Sequence, residues 1–139
     1  MLAYVRFPAV QLPHAVGRDD ADGRRKSDGR PGHLCHGPYI TLGPGRYTAG
    51  FYLQRGAAGD DDGEIVIDAC NAQGQQIFAK QTTPVKELFS SVAGLQHVDF
   101  TIDVVERGCE LRLWVPARTH VEVSEAVLFR TDIDNWGRR

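Results

Sequence analysis

No apolar run in this 139-residue chain approaches the length of a membrane span. The opening stretch MLAYVRFPAVQLP carries no basic lead, no apolar core of signal length and no small-residue cleavage site. Both absences point to a cytoplasmic protein without a membrane span. Charge of one sign is missing too: 16 Lys and Arg stand against 18 Asp and Glu, for a net charge of −2. That balance argues against nucleic acid or an anionic membrane as the main partner, because those need a basic face. Cysteine is scarce. Cys35, Cys70 and Cys109 stand far apart, an odd number with no zinc-type spacing, so free thiols are expected rather than disulfides or a zinc site. No βαβ alternation and no glycine-rich phosphate loop occur, which argues against a nucleotide-binding fold.

What is present reads as β-structure in a chain that is 42% hydrophobic and 24% charged, enough apolar residues for one core and one domain over 1–139. HVDFTIDVV (97–105) alternates with Val98, Phe100, Ile102 and Val104 on one face. RYTAGFYLQ (46–54) does the same with Tyr47, Ala49, Phe51 and Leu53, EIVIDAC (64–70) with Ile65, Ile67 and Ala69, and ELRLWVP (110–116) with Leu111, Leu113 and Val115. HVEVSEAVLFR (120–130) starts with Val121 and Val123 inward and then changes phase, which predicts a bulge near Ser124-Glu125. QQIFAKQ (75–81) follows EIVIDAC through the hairpin turn Ala72-Gln73-Gly74. With Tyr4–Phe7 and Leu34–His36 these make about eight short strands separated by turn residues, an all-β antiparallel sandwich. Two segments break the pattern. Residues 17–32 hold nine charged residues and four glycines and read as a long, mobile polar loop; residues 83–95 have room for one helical turn, Val85–Phe89. The tail 131–139 reads as extended past the last strand.

The order of the pieces carries a resemblance. GPYITLGPGRYTAGFYLQ (37–54), then GEIVIDACNAQGQQIFAKQ, then HVDFTIDV, CELRLWVP and VEVSEAVLF resemble a jelly-roll β-sandwich of the carbohydrate-binding-module type. Such modules accompany bacterial glycosyltransferases and surface-polysaccharide enzymes. The likeness covers about residues 30–130 and is carried by the order of the strands more than by any one motif. It implies a non-catalytic module that binds a glycan or glycoconjugate, with a glycosyltransferase as an associated partner.

Sugar recognition asks for an aromatic plate flanked by hydrogen-bonding side chains. Trp114 and Tyr52 are out of phase with the inward rows of their strands, and Arg112, Asp68, Asp99 and Thr101 share that outward register. Together they are the candidate ligand-binding surface, on one sheet face. The competing reading is a structural module. In it Trp114 and Tyr52 pack under the 83–95 segment or the N-terminal arm, or form a homodimer or docking interface. Trp136 lies on the tail and reads as a pin for it. Three other sets are weaker. His33, Cys35 and His36 lead into a strand that would put His33 and Cys35 on one face and His36 on the other, so a metal would need a distant ligand such as His14, His97 or His120. The acidic run Asp60, Asp61, Asp62 and Glu64 offers oxygen ligands for a structural calcium but lacks EF-hand spacing, and a solvated hairpin tip fits it better. Ser90, Ser91, Cys109, His97 and His120 sit in no nucleophile frame, and Asp99 with Asp103 reads as solvated alternation, so no enzyme is expected.

Overall fold

The computed structural model describes residues 4–56 and 62–132. Eleven strands form two antiparallel sheets. The first sheet contains β1 (Tyr4–Pro8), β2 (Arg18–Asp19), β3 (Arg25–Lys26), β6 (Gly45–Arg55), β9 (Gly94–Ile102) and β11 (Val121–Arg130). It runs β2-β3-β11-β6-β9, and β1 lies beside β11 on the same edge as β3. We call it the Tyr52 sheet. The second contains β4 (Gly32–Cys35), β5 (Pro38–Leu42), β7 (Glu64–Asn71), β8 (Gln76–Pro84) and β10 (Glu106–Val115). It runs β4-β10-β7-β8, with β5 sharing the β4 edge of β10. We call it the Trp114 sheet.

The period-two rows of the sequence become the two inner faces. Tyr47, Ala49, Phe51 and Leu53 of β6 and Val98, Phe100 and Ile102 of β9 meet Ile65, Ile67 and Ala69 of β7 and Leu111, Leu113 and Val115 of β10 in one buried cluster. Where β8 passes over β9 the seam is aromatic: the Phe78 and Phe100 rings stack at 5.8 Å, and Phe100 stacks on Tyr47 at 5.5 Å. The predicted bulge on β11 is present, with the register against β6 shifting between Val123 and Glu125. That shift lets Val123 and then Ala126 and Leu128 all enter the core cluster.

Three expectations are corrected. The described residues hold eleven strands rather than about eight, because short strands form inside the N-terminal third. The segment 17–32 is not simply a loop. β2 and β3 form a small ribbon that joins β11, and Arg25, for all its charge, is 1% exposed. Its Nη1 donates to the carbonyls of Leu12 (2.7 Å) and Leu34 (3.2 Å), and its Nε and Nη2 donate to the Asp19 carboxylate at 2.7 and 3.2 Å. A buried guanidinium that spends its N–H groups in this way ties three stretches of chain together. Finally, Val104 does not continue the inward row: β9 ends at Ile102, and Val104 and Val105 are exposed in the turn to β10. The 83–95 segment holds a single 3-10 turn, Val85–Glu87, anchored by buried Val85. Among the described residues no helix is long and apolar enough to cross a membrane.

Candidate functional site

The outer face of the Trp114 sheet is built by alternation along β10. With Leu111, Leu113 and Val115 committed to the core, Glu110, Arg112 and Trp114 face out. On β7 they stand opposite Cys70, Asp68 and Val66. β8 adds Lys80 opposite Asp68, and β4 adds His33 opposite Trp114. Trp114, half-buried, forms one wall of a shallow recess of ≈ 350 Å³ shared with His33, Val66, Ile77, Lys80 and the Arg112–Asp68 pair.

That pair is a two-pronged ion pair. Arg112 Nε and Nη2 donate to the two carboxylate oxygens of Asp68 at 2.8 and 2.7 Å. The side chains are only 16% and 7% exposed, so the pair is fixed rather than solvated. The hydrogen bond to Asp68, against some cost of burial, holds the guanidinium even further above neutrality than usual. Gly74 makes room for it: a Cβ there would stand 2.7 Å from Arg112 Nη1, and the residue is left-handed (φ +89°). Burial pushes His33 below the ordinary imidazole range, and nearby Arg112 adds to the effect, so at neutral pH this ring is an uncharged polar wall.

A second recess of ≈ 280 Å³ adjoins the first and shares His33 and Arg112 with it. Ala15, His36, Tyr39, Gln73 and Glu110 complete it. Glu110 faces outward yet is 3% exposed. His36 Nδ1 lies 2.8 Å from the Tyr39 hydroxyl and 3.8 Å from a Glu110 carboxylate oxygen. Burial raises the Tyr39 phenol and lowers His36, so both are neutral near pH 7.

The sequence candidates divide between two surfaces. Trp114, Arg112 and Asp68 come together as described. Tyr52, Asp99 and Thr101 lie on the outer face of the opposite sheet, on β6 and β9. One surface on one sheet is therefore corrected to two: outward register along a strand does not say which sheet the strand joins. Even on their own face the three separate. Asp99 stands opposite Thr48, whose Oγ1 donates to Asp99 at 2.7 Å, and Thr101 stands opposite Arg46. Tyr52, four positions further along β6, stands opposite Leu95. The His33-Cys35 face is corrected as well. A register shift between β4 and β10 sets Cys35 against inward Leu113 but His33 against outward Trp114. Cys35 is thus withdrawn into the core, and His33 and His36 share the groove. All three cysteines are free and buried. Among the described residues no group of three His, Cys, Asp or Glu side chains converges as a metal site would require. Asp60 and Asp61 of the acidic run and Trp136 of the tail lie outside the described residues; Glu64 is exposed at the start of β7. His33, His36, Tyr39, Glu110 and Lys80 were not singled out as ligand-binding residues from the sequence. For Glu110 the signal was available, since it continues the outward row of Trp114 and Arg112.

No protein-family model matches the chain, and no curated protein sequence does. Solved structures do match in fold. The C-terminal family 6 carbohydrate-binding module of a marine laminarinase from Zobellia galactanivorans superposes with a TM-score of 0.65 at 8% identity, over 91% of this chain and 99% of that one. A family 6 module of lichenase 5A from Cellvibrio mixtus, solved in complex with cellotriose, gives 0.65 at 8% identity over 94% and 99%. The second N-terminal cellulose-binding domain of β-1,4-glucanase C from Cellulomonas fimi gives 0.56 at 13% identity over 90% of each chain. At these identities the likeness is one of fold: the chain has the β-sandwich of carbohydrate-binding modules.

Proposed function

We propose that this β-sandwich is a non-catalytic carbohydrate-binding module and that it binds its glycan on the outer face of the Trp114 sheet. The observation that carries the reading is the pairing of a half-exposed Trp114 with a rigid Arg112–Asp68 ion pair in one open recess. The indole offers an apolar plate for the C–H face of a pyranose. The guanidinium has five N–H donors, and two suffice for Asp68, so the others remain for ring hydroxyls. His33 and Lys80 add polar groups on either side. Because the ion pair is held by its own geometry, binding does not have to order it. The shared fold of solved carbohydrate-binding modules, one of them holding cellotriose, supports the same conclusion.

A glycan array followed by isothermal titration calorimetry tests it, with wild type beside Trp114→Ala and circular dichroism as the folding control. Saturable binding by the wild type, weakened at least tenfold in a folded Trp114→Ala protein, is the expected result. A folded wild type that binds no glycan across the array would transfer the exposed Trp114 face to the docking or homodimer reading.

A further inference from the structure

We infer that the site continues past Trp114 into a second subsite formed by Tyr39, Glu110, His36 and Gln73, so that the groove takes a carbohydrate chain of at least three sugar units lying along β10. The inference rests on the reading of the Trp114 recess as a glycan site. The two recesses share His33 and Arg112 and therefore form one groove, with an aromatic ring at each end. Strand geometry sets its length. Trp114 and Glu110 are four positions apart on β10, about 13 Å at the usual rise, and Tyr39 lines the recess together with Glu110. A single pyranose is less than half that length and reaches only one ring.

The Tyr39 end is built rather than incidental. Tyr39 is 47% exposed, yet its hydroxyl lies 2.8 Å from His36 Nδ1 and its ring stands edge-on to the His36 ring at 6.1 Å, so the ring is held in place at the surface. Its backbone is left-handed (φ 68°), as are Ala72 (φ 50°) and Gln73 (φ 58°). These are three of the four non-glycine residues with positive φ among the described residues; Tyr39 and Gln73 line this end of the groove, and Ala72 precedes Gln73 in the turn. Consecutive positive φ values in a hairpin turn are what Asn-Gly supplies without strain. Ala72 and Gln73 adopt left-handed backbone without being glycine or asparagine, at a cost, in the link between β7 and β8, and Gln73 lines the recess. Strain gathered around a cleft and held by surrounding contacts is a feature of pre-organised sites.

The test is calorimetric titration of wild type, Trp114→Ala, Tyr39→Ala and Tyr39→Phe with ladders of one to five sugar units. The ladders are β-1,4-glucan, β-1,3-glucan, β-1,4-xylan and a uronate-containing series. For the wild type, affinity should rise up to three units and then level off. Tyr39→Ala should remove that gain, roughly five- to tenfold at three units, and leave the binding of the shortest ligands unchanged. Tyr39→Phe keeps the stacking ring but loses the hydroxyl contact to His36, so its affinity at three units should fall between those of wild type and Tyr39→Ala, and circular dichroism of both variants guards against misreading an unfolded protein. If affinity does not depend on chain length, or Tyr39→Ala matches wild type at every length while Trp114→Ala still abolishes binding, the second subsite is overturned and the Trp114 site stands. If no ladder binds, or binding survives Trp114→Ala, the parent reading falls and the subsite falls with it.

Discussion

At the residue scale, the least expected side chains are the ones buried against their type. Arg25 sits in a run that is almost wholly charged, so composition alone reads it as solvent-exposed; only the pairing of β3 with β11 places it inside. Replacing it with Met keeps the volume but leaves the Leu12 and Leu34 carbonyls without a donor and Asp19 without its cation. Arg25→Met should therefore lower the unfolding free energy by about 3 kcal/mol, read from urea titrations of both proteins. Asp19, whose carboxyl the Arg25 hydrogen bond holds below its usual range, loses that shift in the same variant. Cys35 makes the opposite kind of prediction. Burial pushes its thiol up to about 12, although Arg25 nearby pulls the other way. The unfolded chain gives up this proton near pH 9.0 while the folded chain keeps it, so the unfolded state gains across that interval and stability falls as pH rises. One such thiol removes up to about 1.4 kcal/mol per pH unit above that point. Thermal unfolding between about pH 8 and pH 10.5 should show a shallower decline in Cys35→Ala than in wild type. A thiol reagent at about pH 8 should label no cysteine before unfolding.

At the scale of elements, alternation made the long strands legible, and interruptions of alternation decided what was not. The β11 bulge could be read because two apolar rows of opposite phase follow one another there. The bulge between β4 and β10 could not, because His33-Leu34-Cys35 offers no apolar row whose phase could be seen to change. That one shift moves His33 from the expected Cys35 face to the groove. The pairing of β6 with β9 depends on a residue that alternation treats as blank. Gly50 faces the β9 backbone so closely that a Cβ would lie 2.2 Å from the Gln96 carbonyl oxygen and 2.8 Å from His97 Cα. Backbone atoms in a ladder cannot swing away as a side-chain end can. Gly50→Ala should therefore cost about 1–3 kcal/mol and lower the melting temperature. Gly43→Ala, where a Cβ meets nothing within 4 Å, should be close to neutral in the same differential scanning experiment.

For the whole molecule, the sandwich has two outer faces, and sequence periodicity cannot assign an outward residue to one of them. It identified Trp114, Arg112, Asp68, Tyr52, Asp99 and Thr101 as outward, and each does lie on an outer face, but long-range pairing splits them between sheets. The pairing follows from contacts far apart in the chain, such as β6 with β11 and β7 with β10, which no local pattern encodes. The split is open to measurement. The Tyr52 face has its own recess of ≈ 370 Å³ around Arg46, Thr48, Asp99 and Thr101, but no aromatic plate is exposed beside those polar groups: Tyr47 and Phe100, which also line it, are buried core residues. The Trp114 face combines plate and fixed polar groups. A glycan that binds the wild type should therefore shift backbone amide resonances of β4, β7, β8 and β10 and leave those of β9 in place. The variants Tyr52→Ala and Asp99→Ala should retain wild-type affinity within about twofold, as expected for residues outside the interface, whereas Trp114→Ala should lose it. Shifts centred on β6 and β9, or loss of binding in Tyr52→Ala alone, would move the site to the opposite sheet. They would make the aromatic ring of Tyr52, rather than the Trp114 groove, the recognition platform.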